Sequence, residues 1–165
     1  MGVFRKEVPK AALANIELPK GERAVAAGHC NAGFVVATQN ALYLQAVEPK
    51  RIPWSTITRA TWDEPELRMV LNPKAGGTSD LIVLRFDDTG ELPTTIRERV
   101  TATIVMQERI LLDGDRGAMF IARRGSDDGE IVWNVVFDSG LDPTHPVLRQ
   151  RAEESLEQLR SQLGI

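Results

Sequence analysis

Cysteine is nearly missing from this sequence. The single thiol, Cys30, excludes an intramolecular disulfide and a four-cysteine metal site, and it suits a reducing, cytoplasmic setting. Histidine is almost as scarce: His29 and His145 stand 116 positions apart, which suggests no zinc ligand set. Aromatic residues make up only 5%, so a core must rest mainly on Val, Ile, Leu and Ala. No apolar run approaches the roughly 18 residues that span a bilayer, so no transmembrane segment is expected. The opening MGVFRKEVPKAALANIELPKGE has two early basic residues but no sustained apolar stretch. Pro9 and Pro19 interrupt it, and no signal peptide is expected. Gly2 is followed by Lys6 where a myristoylation signal wants Ser or Thr. Charge is weak as well, at −3 overall. The first sixty residues carry +4 and the remainder −7, but Lys and Arg are scattered and form no tract that would bind nucleic acid.

What is present is an ordinary globular composition, 42% hydrophobic and 26% charged, which suits one domain with a modest extension. Residues 1–20 read as an irregular lead-in with one short helical turn near Ala11 to Ala14. Short apolar runs and turns then alternate. ERAVAAG reads as a strand, HCNAG as a turn whose Asn and Gly tolerate positive φ, GFVVAT as a strand, and ALYLQAV as the next. In RIPWSTITRATWDEPELRMVL, Pro53 cannot donate a ladder hydrogen bond, so Arg51 to Trp54 is an edge or entry segment. Ser55-Thr56 kinks the chain, Ile57 begins an alternating run, Asp63-Glu64-Pro65 turns it, and ELRMVL returns. A loop over 72–79 precedes DLIVLRF. Six or seven short strands without helices between them predict a mainly β, α+β fold: a closed or nearly closed antiparallel sheet rather than βαβ units.

Beyond Gly90 the pattern changes. Ile96, Val100 and Ile104 recur every four residues behind Pro93 and predict a helix over 93–108. Val100, Ala102, Ile104 and Met106 also alternate through the β-branched run TATIV, which fits a shorter helix breaking into a strand near residue 100. LDGDRG is a turn, and AMFIARR and EIVWNVVF form a hairpin around GSDDG. Behind Pro143, Leu148, Ala152, Leu156, Leu159 and Leu163 form the stripe of a terminal amphipathic helix. The domain reading is a lead-in over 1–20 and one domain over 21–165, with its core at 21–108 and a C-terminal hairpin and helix at 109–165.

No motif in this sequence assembles a catalytic site. His29 adjoins Cys30 in a turn, but no third member orients the pair. His145, between Thr144 and Pro146, reads as a helix start. Asp113-Gly114-Asp115 and Asp127-Asp128-Gly129 place carboxylates in turns without the full ligand set of a calcium loop. KAGGTS, residues 74–79, puts its lysine before the glycines and a strand after them, the reverse of a phosphate loop. Asp87 and Asp88 are adjacent and would point to opposite faces of a strand. Trp54, Trp62 and Trp133 read as core or rim packing, since acidic residues 63, 64 and 66 follow the first two at once. No cofactor and no metal is expected.

The segments GERAVAAG, GFVVATQNALYL and RIPWSTITRATWDEPELRMVL together resemble the bacterial PH-like superfamily, in particular uncharacterised actinobacterial proteins of this size. The resemblance covers residues 21 to about 108, and VTATIVMQERILL onward looks like the continuation those proteins carry. It implies a strongly bent antiparallel barrel capped by a helix, an adaptor for lipid headgroups, peptides or protein domains, and no enzyme activity. Phosphoinositide-binding members carry basic residues in the first hairpin loop. The matching loop here, Gly28 to Gly33, has no Lys or Arg, so phosphoinositide binding is not expected. The expectation is therefore a cytoplasmic, non-catalytic PH-like module for protein–protein interaction or homo-oligomerisation. Arg51 and Trp54 are its first candidate contact surface, and Arg123 and Arg124 its second. One alternative is a small-molecule or lipid-binding barrel, marked by a cavity of about 300 Å³ or more with convergent polar groups. Another is an enzyme in which His29 or His145 meets a carboxylate or Cys30 inside a cleft.

Overall fold

Short β-branched runs punctuated by Gly, Pro and Asn become ten strands among the described residues, which are 7–72 and 79–165 of this computed structural model. The chain divides into two compact units, Met1–Thr103 with Gly125–Glu130, and Ile104–Arg124 with Ile131–Ile165.

The first unit holds β1 (Ala24–Cys30), β2 (Gly33–Thr38), β3 (Ala41–Leu44), β4 (Lys50–Pro53), β5 (Ile57–Asp63), β6 (Glu66–Leu71) and β7 (Asp80–Asp88), then helix α1 (Leu92–Ala102). The strands form one antiparallel sheet in the order β4-β3-β2-β1-β7-β6-β5. β7 pairs with β6 from Asp80 to Arg85 but meets β1 only at Phe86 and Asp88, with a register shift. That shift divides the sheet into a four-stranded and a three-stranded half. The expected closed barrel is corrected here: β4 and β5 are the two sheet edges and do not pair with each other. Pro53, without an N–H, ends β4, and a 3-10 turn over Trp54–Thr56 carries the chain to β5 without a ladder.

The inner faces supply one core that includes Val35, Leu42, Ile52, Trp54, Ile57, Leu67, Met69 and Phe86. α1 adds Leu92, Ile96 and Val100, each such burial contributing about 1.5–3 kcal/mol. The lead-in is more than irregular. A 3-10 turn at Lys10–Leu13 buries Ala12 against Val36, Ala41 and Tyr43 on the outer face of the sheet, which explains why every residue of β3 is buried.

The helix expected over 93–108 ends at Ala102. The Thr103 hydroxyl donates to the Val100 carbonyl at 2.7 Å, meeting one of the last-turn acceptors, and the β-branched Ile104-Val105 opens β8 (Ile104–Asp113). The expected C-terminal hairpin is therefore a three-stranded sheet, β10-β9-β8, with β9 at Arg116–Arg124 and β10 at Ile131–Phe137. Gly117 sits where the β8 backbone comes so close that a Cβ would lie 1.9 Å from the Ile110 carbonyl oxygen. α2 (Pro146–Leu163) buries Leu148, Ala152 and Leu159 in a cluster with Leu112, Ala118 and Phe120. Gly164, with a φ of 73°, ends it in the left-handed conformation that glycine adopts without strain.

Candidate functional site

The first candidate surface is a packed polar cluster within the first unit. Trp54 is 1% exposed, and its indole N–H donates to the Thr38 carbonyl at 3.0 Å. It offers no face to a partner, which corrects its place among the contact residues. Arg51 is 31% exposed at its side chain, but its donors are engaged. Nη1 and Nη2 reach Asp127 at 2.7 and 2.8 Å, and Nε donates to the Tyr43 hydroxyl at 3.0 Å. Tyr43 in turn donates to the buried Glu22 carboxylate at 3.1 Å, which also accepts from the Thr38 hydroxyl at 2.5 Å. Asp127 raises the Arg51 pKa above its ordinary value, and Arg51 holds the Asp127 carboxyl below its own. The bidentate Arg51–Asp127 pair holds the Gly125–Glu130 loop, a geometry that favours Arg over Lys, with Glu22 Oε2 3.8 Å from the same guanidinium.

The second candidate pair separates. Arg123 is buried, and burial pushes its guanidinium below the ordinary value, whereas Arg124 is exposed. Successive strand residues face opposite ways, so a tandem arginine cannot present both side chains to one partner.

The histidines show what the enzyme reading would require. His29 Nδ1 lies 2.8 Å from Asp87 Oδ1, and the pair is 44% and 70% exposed. The imidazole holds the Asp87 carboxyl below its ordinary value. The cavity beside it, which His29 lines with Gly28, Phe34 and Asp88, has about 70 Å³, room for a few waters and not for a substrate. Cys30 faces the core instead, where burial pushes its thiol up and its sulfur accepts the Ala32 N–H at 3.4 Å. His145 precedes α2, and its carbonyl accepts the Arg149 N–H at 2.9 Å. Among the described residues no group of three or more His, Cys, Asp or Glu could hold a metal ion. Residues 74–78 of the KAGGTS run lie outside the described residues.

A different feature was not singled out as a site by the sequence. Among the described residues β5 pairs with β6 alone, so its other side is a sheet edge that none of them pairs with. Between β5 and α1 lies a groove of about 380 Å³ floored by Ala60, Trp62, Leu67, Ile96 and Val100. Trp62 leans on Phe86, with ring centroids 5.6 Å apart. Arg97 and Thr101 stand on the helix side as polar groups. The volume exceeds the mark set for a ligand barrel, yet the groove is open and apolar rather than a closed chamber with polar groups converging. An apolar floor with a polar rim, alongside a strand with one unpaired edge, is the geometry that takes an extended polypeptide. The sequence signal was the half-buried alternation of Ala60 and Trp62, which reads equally well as packing.

Comparison with protein-family models, curated proteins and solved structures returned no match. No helix is long and apolar enough to cross a membrane among the described residues.

Proposed function

We propose that this chain is a non-catalytic PH-like adaptor of the cytoplasm, which takes an extended segment of another protein along β5. The observation that carries the reading is the open β5 edge lying beside the apolar groove under α1. An added strand would bond its backbone to β5 and seat an apolar side chain between Trp62 and Val100. Seven antiparallel strands followed by a helix packed across them support the PH-like part of the reading. The interior beneath the groove is filled by Leu42, Ile52, Trp54, Ile57 and Met69, which favours a surface-bound chain over an enclosed small molecule.

Selection of a displayed random-peptide library on the immobilised full chain tests this. Wild type should enrich extended peptides with one bulky apolar anchor. Ala60→Trp, which fills the groove, should weaken them at least about tenfold, or 1.4 kcal/mol, with an unchanged circular dichroism spectrum. No enrichment on wild type, or equal affinity for the filled variant, would overturn the proposal.

A further inference from the structure

The three-stranded sheet of the second unit has two edges, and they are built differently. β8 carries Gln107, Glu108 and Arg109 at its centre and register shifts near both ends, devices that discourage a further strand. β10 reads IVWNVVF, with no charge and no proline, and pairs with β9 over seven residues without a shift. The hydrogen bonds at its two ends fix which groups face outward. The Asp138 N–H donates to the Gly117 carbonyl at 2.9 Å, and the Gly125 N–H to the Glu130 carbonyl at 2.8 Å. Continued by one residue at each end, the β10–β9 register makes these directly opposed pairs, each joined by one backbone hydrogen bond. Bonding alternates along an antiparallel ladder, so Val132, Asn134 and Val136 also face β9, while Ile131, Trp133, Val135 and Phe137 turn N–H and C=O to the open edge.

We propose that β10 pairs with β10 of a second copy about a two-fold axis at Asn134, making this chain a homodimer with one continuous sheet. The inference stands apart from the β5 groove and survives its failure. About that axis the outward-bonding residues meet only one another: Ile131 faces Phe137 and Trp133 faces Val135, each pair exchanging two hydrogen bonds. Every side chain on one face opposes an apolar one, Val132 opposes Val136 on the other, and the two copies of Asn134 stand opposite each other at the centre. The register also fills a cavity. A groove of about 270 Å³ between β10 and α2 is lined by Val135, Phe137, Ala152 and Leu156, and pairing brings Trp133 and Ile131 of the second copy beside its two strand residues. Glu130 would approach Asp138 of the other copy, a like-charge pair. Arg109 already neutralises Asp138 at 2.5 Å, which limits that cost.

Sedimentation of the full chain at micromolar concentration should give a dimer. Val135→Pro removes an outward N–H without touching a β9 bond, and should raise the dimer dissociation constant about tenfold or more, two hydrogen bonds per dimer being lost. Disulfide trapping reads the register independently. Asn134→Cys should cross-link to a covalent dimer, since opposed non-bonded residues lie about 4.5 Å apart at Cα. Val132→Cys alone should not, whereas Val132→Cys with Val136→Cys in the same chain should. A monomer throughout, a Val135→Pro dimer as tight as wild type, or trapping through Val132→Cys alone would each overturn the pairing.

Discussion

Replacing Trp54 with alanine separates a core residue from a contact residue. An indole of this size removes about 200 Å² from water, worth roughly 5 kcal/mol at 25 cal/mol per Å². The side chain is 1% exposed, so nearly all of that area is gained on folding. Its neighbours Leu42, Ile52 and Ile57 are held by the sheet and cannot collapse far into the hole. The Thr38 carbonyl also loses the indole donor. Large-to-small changes of this kind cost about 3–5 kcal/mol, a large share of the 5–15 kcal/mol of a typical domain. Urea titration followed by far-ultraviolet circular dichroism measures it as a drop in midpoint. Trp54→Phe keeps most of the ring area and loses the hydrogen bond, so about 1–2 kcal/mol is expected for it. A surface contact residue would instead lose about 0.5 kcal/mol or less. Trp54→Ala within 1 kcal/mol of wild type would refute the packing argument and return the residue to the candidate surface.

Two further outcomes concern the paired carboxylates Asp127 and Asp138. A double-mutant cycle of Arg51→Ala and Asp127→Ala should give a coupling of about 1 kcal/mol or less by urea titration, because Asp127 is 42% exposed and solvent screens the pair. Asp127 and Asp138 both have carboxyls held below their ordinary values, by Arg51 and by the Gly117 N–H respectively. Their contribution is complete above the ordinary carboxyl pKa near 3.8 and is lost as pH falls through the lower folded values. Stability should therefore fall below about pH 4, and Asp127→Asn with Asp138→Asn should flatten that acid limb in a pH-dependent melt.

The strands were legible because each is a short alternating run bounded by residues with one backbone preference. Pro53 announced an edge, and β4 is one. The helix end was ambiguous for a physical reason: Val100, Ile104 and Met106 satisfy both a helical and a pleated period. The competition is decided at Ile104, where pairing with Arg123 begins a ladder. The partner of Arg51 lies 76 positions away, a distance no local pattern spans. Trp54 and Trp62 look alike in sequence, yet the first opens the 3-10 turn with its ring sealed in the core, and the second lines the open groove. Sequence read both as packing residues and set Trp54 alone on the candidate contact surface, the reverse of their exposure. Sheet closure was over-read, since seven strands can end in two free edges as readily as in a seam.

The Gly125–Glu130 excursion has a bearing on how the gene could be cut. The polypeptide leaves the first unit after Thr103 and re-enters it for six residues before leaving again. A fragment ending at Thr103 would lack Asp127 and strand the Arg51 guanidinium beside Glu22 and Tyr43 alone. Expression of either half by simple truncation would strip the first of its carboxylate latch, so a faithful dissection requires supplying that loop as a separate peptide or grafting it back.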